Sequence, residues 1–408
     1  MTQNTSKLTA AVQRPSLLLY WLLVPIAYLI FKLKFGFTIV KDKRIRSLRG
    51  PVICIGTHSF VLDVAMMILS QFPRRLNVVC GRDVFTWTPI KPIRKAAGLI
   101  PTSQFAVDLK SIKQMKQAVD NGCSLALFPE GKISIDGRNL PFPNAGLAKL
   151  LRFLNANVVL CHNFGGYSSK PRWGRWRKGK IVHAAKVLLT KEELSKLSVD
   201  EIQQILVKEF TFNDHDYRER NHLRYRTKEP ALGLHYILYK CPKCGAEYQM
   251  ESDATTLACT ACGNRVTMDE YGVLRPATAS DICPYDRLDR WYDFEKEAIR
   301  QETAHDDFRL SYPVVWERNL ASVNRYEECG EGELYIDRER IGFVGKDFDG
   351  NDVVLECSLK NLNTIVQKMK EAVDLTIGED IHRFYFRDGK YSAKYNLIVE
   401  ERFRALHQ

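Results

Sequence analysis

The chain has 408 residues, 45% of them apolar and 26% charged, and a formal net charge of +12. That is ordinary globular composition, long enough for two or three domains, and it excludes a small scaffold that needs disulfide staples to fold. The charge is uneven, +22 over residues 1–186 and −10 over 187–408, so the first half seeks a polyanion: nucleic acid, anionic lipid or a phosphorylated ligand.

Leu17 to Phe31 reads LLLYWLLVPIAYLIF, fifteen apolar residues with Pro25 inside, followed at once by Lys32, Lys34, Lys41, Lys43, Arg44, Arg46 and Arg49. About 20 residues span a bilayer as a straight helix. Tyr20, Trp21 and Tyr28 are interfacial residue types. No small-residue cleavage motif follows, which argues against a removed signal peptide. A shallow or re-entrant anchor with a basic skirt, a short spanning helix and a buried core helix are the three readings. The first two put the basic face at the cytoplasmic surface of a membrane, and this apolar run turns the choice of polyanion toward anionic lipid. Residues 1–50 are therefore read as anchor and basic segment.

Residues 51–230 alternate short β-branched runs with helical patterns. PVICIG (51–56), LNVVC (76–80), SLALFP (124–129) and ANVVLCHNF (156–164) read as strands. Asp63 to Gln71, Asp108 to Asn121 and Phe142 to Leu154 read as helices, the second capped by Asp108 and stopped by Gly122. This pattern predicts an α/β fold, a sheet covered by helices. Residues 170–186 read as a basic loop or hairpin with Trp173 and Trp176, suited to a membrane interface, and residues 190–228 as charged helices. Residues 235–275 hold the paired cysteines and 276–329 a polar helical linker. From 330 to 408 short strands with D-G turns at Gly350 and Gly389 precede a last helix, Tyr395 to Leu406. A small antiparallel barrel or sandwich capped by that helix follows.

Two segments carry chemistry. THSFVLD (57–63) follows a strand, so His58 projects where ligands sit at the C-terminal ends of strands in an α/β sheet. Imidazole suits general base work near neutral pH, and a carboxylate five residues on, Asp63, can fix its tautomer. LALFPEGKIS (125–134) ends a strand in Pro129, Glu130 and Gly131. Glu130 can bind acceptor hydroxyls or order the loop, and Gly131 lets backbone N–H groups approach a ligand closely.

Together, in this order, these segments resemble the glycerophosphate/1-acylglycerol-3-phosphate (lysophospholipid) acyltransferase superfamily over roughly residues 17–190. Its H-x-x-x-x-D, G-x-I, F-P-E-G and valine-rich blocks correspond to His58–Asp63, Gly98-Leu99-Ile100, Phe128 to Gly131, and Asn157 to Leu160. The resemblance implies that His58 acts as general base toward a glycerol-type hydroxyl, that Asp63 orients it, and that the hydroxyl attacks a thioester of acyl-CoA or acyl carrier protein. It also implies that the F-P-E-G loop and nearby arginines hold the acceptor's phosphate. Two departures stand out. Lys132-Ile133 follows the F-P-E-G block in place of Thr-Arg or Gly-Arg, and Thr102 and Ser103 stand where the G-x-I block usually leads to an Arg. Lys is a point charge where Arg offers a fork. Lys132, Arg138 and Arg82 are the candidates to compensate. The departures keep open a lysolipid or glycolipid-like acceptor, and a non-catalytic lipid-binding or scaffolding protein on the same fold.

Cys241, Cys244, Cys259 and Cys262 form C-x2-C-x14-C-x2-C, with Gly245 and Gly263 after each pair. Two such knuckles supply four thiolates for a tetrahedral, structural Zn2+ of zinc-ribbon type. The other seven cysteines are scattered, as in a reducing cytosol. Acidic residues around the knuckles and the lack of a basic stripe argue against a nucleic-acid partner. The strand pattern of 330–408 is similar to pleckstrin-homology or GRAM-type modules.

Overall fold

The computed structural model describes residues 12–82, 84, 96–105, 108–139, 145–320, 325–369, 371–378 and 380–407. Helix α1 (Leu17–Phe35) leads into strand β1 (Phe37–Lys41). A mixed seven-stranded sheet follows from β1, β2 (Val52–Gly56), β3 (Leu76–Gly81), β4 (Ile100–Thr102), β5 (Ser124–Leu127), β6 (Asn157–Phe164) and β7 (Ile181–Leu189), in the order β1-β7-β6-β2-β5-β3-β4. Only the β6–β7 pair is antiparallel. Strand β2 is buried along its whole length, as its unbroken β-branched and apolar run requires of a central parallel strand.

Helices α2 (Asp63–Gln71), α3 (Leu109–Asp120) and α4 (Gly146–Leu154) pack against this sheet. The Asp108 side chain caps α3 by accepting from Ser111 N at 2.9 Å. The start of α4 expected at Phe142 lies outside the described residues. Short helices α5 (Gly166–Ser169), α6 (Lys191–Lys196), α7 (Val199–Glu209) and α8 (Asp214–Arg220) complete the layer. Two expectations are corrected here. Strand β1 belongs to the α/β sheet although it lies within 1–50, and the second half of the supposed basic hairpin is β7, inside the sheet between β1 and β6. Lys and Arg in that stretch hid its apolar alternation.

Strands β8 (Met250–Ser252), β9 (Thr256–Cys259), β10 (Arg265–Met268) and β11 (Leu274–Pro276) form a small antiparallel sheet around the cysteine pairs. Helix α9 (Leu288–Glu302) connects it to a second seven-stranded sheet, wholly antiparallel. That sheet is β12 (Arg309–Leu320), β13 (Arg325–Asp337), β14 (Arg340–Asp347), β15 (Asp352–Ser358), β16 (Val366–Lys368), β17 (Ala372–Ile377) and β18 (Asp380–Phe386), in the order β15-β14-β13-β12-β18-β17-β16. Helix α10 (Ser392–Ala405) covers it. The all-β unit thus starts at Arg309, inside the stretch expected to be linker. One core joins the ribbon, α9 and this unit, and it also takes in Ile135 and Trp173 from the α/β half.

Candidate functional site

Strands β6, β2 and β5 are neighbours and run parallel, so their C-terminal ends open on one edge. His58 follows β2, Glu130 follows β5, and Asn163 lies near the end of β6. Such an edge is the usual crevice of an α/β sheet.

His58 Nδ1 lies 3.1 Å from Asp63 Oδ2. The same oxygen accepts from Ser59 N and Phe60 N, each at 2.7 Å, because α2 begins at Asp63 and turns its carboxylate back on the loop. Asp63 Oδ1 accepts from Asn163 Nδ2 at 2.8 Å. Asn163 Oδ1 then faces His183 Nδ1 at 2.6 Å. Asp63 is fully buried; burial raises its pKa, while the His58 ring and the backbone N–H groups pull the other way. Three of its donors are amides that cannot accept, so the carboxylate is the form that the site fits. With the Asn163 NH2 turned to Asp63, its oxygen must accept, which puts the His183 proton on Nδ1. Burial holds the His183 pKa down at about 3, so this ring is neutral.

The pairing leaves His58 Nε2 without a hydrogen bond to any described residue, on a side chain 18% exposed. A fixed tautomer with one open nitrogen is what a general base needs. Phe128 lies beside the ring, centroids 4.6 Å apart. The loop after β5 grips the His58 backbone: His58 N–H donates to Glu130 Oε1 at 2.8 Å, and Ser134 N–H donates to the His58 carbonyl at 2.6 Å. Gly131 has φ +69°, and a Cβ there would stand 2.9 Å from the Phe105 ring. Gln104 Nε2 donates to its carbonyl at 2.6 Å. Glycine is needed for both conformation and space.

The three cations expected to compensate for missing arginines fare differently. Lys132 is turned away into the C-terminal unit, where Asn396 Oδ1 (2.8 Å), Glu400 Oε1 (2.5 Å) and the Thr364 hydroxyl surround its ammonium. Arg138 is held by Asp136 (Nε to Oδ2, 2.7 Å) and grips Asp293 of α9 with both terminal nitrogens at 2.8 and 2.7 Å. Neither is at liberty to bind an acceptor phosphate; partners far along the chain have claimed them. Arg82 follows β3 on the same sheet edge as His58 and Glu130, pairs with Asp108 at 3.3 Å, and stays partly exposed.

Asn163 and His183 were not expected from the sequence. Their signal was a polar residue at a buried position of a mainly apolar strand, which must find a hydrogen-bond partner. Trp173, expected at a membrane interface, is buried, donating Nε1–H to the Tyr167 hydroxyl at 2.9 Å under the Arg177 guanidinium. Trp176 is exposed and stacks on Phe35 at the end of α1.

Helix α1 is the one helix among the described residues long and apolar enough to cross a membrane, and only 17% of its apolar window is buried. It is not a core helix. Tyr20, Val24 and Phe31, with Ala27 and Phe35 beside them, form a stripe packed on Phe37, Phe60, Met66, Leu69 and Ile181, and the opposite face is open. Its entry is stitched down by Ser16 N–H to Ala96 O (2.7 Å) and Tyr20 Oη–H to Arg74 O (3.0 Å).

The four ribbon cysteines bring their Sγ atoms within 4.8 Å of one another, with Cys241–Cys262 and Cys244–Cys259 each at 3.8 Å. Four sulfurs about 2.3 Å from a tetrahedral zinc stand ~3.8 Å apart, so the donor set fits the ion. Gly245 and Gly263, at φ +75° and +72°, close the knuckles by donating to the Cys241 and Cys259 carbonyls, both at 2.9 Å.

A cleft of about 500 Å³ lies between the ribbon, α9 and α10, lined by Lys240, Glu247, Glu302 and Lys394 among others. No residue of 57–63 or 128–131 lines it, and its lysines are already paired with its glutamates.

Residues 37–160 match the family model described as Acyltransferase, a span that contains His58, Asp63 and the F-P-E-G loop. The match spans 124 of the 408 residues. Among solved structures it is similar to the 1-acyl-sn-glycerophosphate (LPA) acyltransferase PlsC from Thermotoga maritima, with 16% identity, 50% of this chain and 79% of that one covered, and a TM-score of 0.40. It is also similar to the Ran binding domain of the nuclear complex component Nup2 from Ashbya gossypii, with 13% identity, 24% and 94% covered, and a TM-score of 0.20. Neither likeness is strong enough to bear on function. No curated protein matches the chain.

Proposed function

We propose that this chain is a membrane-surface O-acyltransferase. It moves a fatty acyl group from acyl-CoA or acyl carrier protein to the hydroxyl of a lysophospholipid or glycerol-phosphate-type acceptor. The observation that carries this reading is the His58–Asp63 pair, with Nε2 open at the mouth of the F-P-E-G loop. The acyltransferase-family match over 37–160 supports it.

In this mechanism His58 Nε2 takes the acceptor's hydroxyl proton as the oxygen attacks the thioester carbonyl. The tetrahedral adduct collapses, the C–O ester bond is kept and the C–S bond breaks. The imidazolium returns its proton to the departing thiolate, which leaves as thiol. Asp63 holds the ring's tautomer and stabilises the imidazolium. Arg82 is the cation we assign to an acceptor phosphate, with Glu130 and Gly131 shaping the loop. Zn2+ on Cys241, Cys244, Cys259 and Cys262 is structural: four thiolates leave no open position. Helix α1 and its basic neighbours hold the site at the cytoplasmic face of an anionic membrane, and the C-terminal unit is PH/GRAM-like.

A second reading, a lipid-binding protein that does not turn over, is favoured by the capture of Lys132 and Arg138. Acyl transfer by purified, detergent-solubilised protein separates the two. Labelled acyl-CoA and acyl carrier protein are offered against a panel of lysolipids and glycerol phosphates, with His58→Ala alongside. Product from wild type and a loss of roughly 100-fold or more in folded His58→Ala are expected. Binding without turnover in zinc-loaded wild type would leave the second reading.

A further inference from the structure

Lys132 directly follows the F-P-E-G loop, yet its side chain is only 2% exposed and all three of its partners come from the C-terminal unit. Glu400 and Asn396 sit on α10, and Thr364 precedes β16. The partners are also tied to one another: Glu400 Oε1 accepts from the Thr364 hydroxyl at 2.7 Å and from Asn396 Nδ2 at 3.1 Å. A buried ammonium stripped of its carboxylate is strongly unfavourable, so Lys132 has one place to be. The His58 peptide is gripped from both sides by residues 130 and 134, and Lys132 stands between these two grips.

From this we infer that Lys132, Glu400 and Asn396 are positioning residues of the candidate acyl-transfer site: α10 clamps the F-P-E-G loop and, through its bonds to the His58 backbone, sets where the base stands. The second half of the same loop is clamped as well. Asp136 faces Lys296 of α9 at 3.5 Å, and Arg138 forks onto Asp293. Helices α9 and α10 are themselves joined, by Arg300 Nε to Glu401 Oε2 at 2.7 Å and by Arg402 Nη1 to Thr303 O at 3.4 Å. Arg172, from the basic stretch, donates to Gln367 O of β16 at 2.7 Å. Part of the positive charge of the first half is thus consumed by the acidic second half. The C-terminal unit is a fixed wall of the reaction centre, and a detachable lipid reader would not make these contacts.

The test uses full-length, zinc-loaded protein and compares wild type, Glu400→Gln and the double variant Lys132→Met/Glu400→Leu. The double variant removes both buried charges, so it keeps the fold if the single variant does not. Amide hydrogen exchange of residues 128–134 is the first readout and needs no turnover. We expect at least about 10-fold faster exchange there in the folded variants, with β2 and β6 unchanged. The second readout rests on the acyl-transfer reading: kcat per folded molecule falls about 10-fold while the acyl-donor KM holds, and Glu400→Asp recovers part of it. Unchanged exchange in the folded double variant would reduce the contact to domain packing and overturn the inference, whatever happens to kcat. Faster exchange in the folded variants, with a wild type that never turns over, would uphold the clamp and sink only the acyl-transfer reading.

Discussion

Asn163 donates its side-chain amide to Oδ1 of Asp63 at 2.8 Å, on the oxygen that His58 does not use. A hydrogen bond to a buried charge contributes about 1.5–3 kcal/mol. In the proposed reaction its loss is felt most when His58 takes the acceptor's proton and leans on Asp63. Replacing Asn163 with Leu, which keeps the branching at Cγ but offers no donor, should lower kcat by roughly 10-fold or more. Removing a donor also raises the Asp63 pKa, so the acidic limb of the pH–rate profile should move to higher pH. An unchanged limb in a folded Asn163→Leu protein would mean that Asp63 does not depend on this bond.

Three buried histidines weaken the fold in acid. Burial first, and neighbouring charges after it, set His162 at about 4, His183 at about 3 and His382 at about 4. The His382 Nδ1 accepts from Trp316 Nε1 at 3.0 Å, which only a bare nitrogen can do. The unfolded value is about 6.5. Each folded pKa lies below it, so the stability these neutral rings contribute is fully present above pH 6.5 and is lost as pH falls toward 4 and 3. Between pH 7 and 4.5 the loss is about 2.5 kcal/mol per ring. Denaturant midpoints at pH 7, 5.5 and 4.5 should decline steadily; a flat series would show that the rings protonate freely in the fold.

The parts of this site that were legible in the sequence are contiguous. His58, Asp63, Glu130 and Gly131 sit in short segments whose order along a strand–loop–helix pattern already implies a shared crevice. The cysteine spacing is similarly local. Lys132 and Arg138 misled because their residue type suggested phosphate, while the groups that claim them, Glu400 and Asp293, lie 268 and 155 positions away. Nothing local marks such a pairing. Strand β12 reads as linker in the sequence for a related reason: Arg309–Leu320 mixes charged and apolar residues, and its strand character comes from pairing with β13 and β18 on either side.

A zinc held by the four cysteines, as proposed, should be felt beyond the ribbon. Helix α9 is bonded to the first knuckle through Trp291 Nε1 to Lys240 O at 3.1 Å and Lys240 N to Glu295 Oε1 at 2.9 Å. Metal analysis should return one zinc per chain. Its removal by a chelator, or Cys244→Ser, should lower the Tm by on the order of 10 °C and shift the emission of buried Trp291 to the red. Metal-free protein with an unchanged melting curve would refute a structural zinc.

Helix α1 is held against the α/β domain along its length, from the Ser16 N–H to the Phe35 ring stacked on Trp176 at 5.2 Å. Nineteen residues measure roughly 28 Å. In the proposed membrane-bound protein, a helix fastened to a folded domain over that whole distance would lie along the bilayer surface, and Arg14, just before it, is bonded to the Asn121 and Gly122 carbonyls. Leu18, Leu22, Leu29 and Leu33 form an exposed stripe opposite the packed one. Leu22→Glu with Leu29→Glu should leave the fold intact, since neither side chain is buried. Each leucine withdrawn from lipid loses about 1.5–3 kcal/mol, so partition onto anionic vesicles should weaken about 100-fold or more. Flotation assays read this directly, and an N-terminal tag on sealed vesicles should be cleavable from the side where the domain sits. A double variant that floats like wild type would show that α1 does not carry the membrane contact, and a tag protected inside the vesicle would mean that the helix crosses.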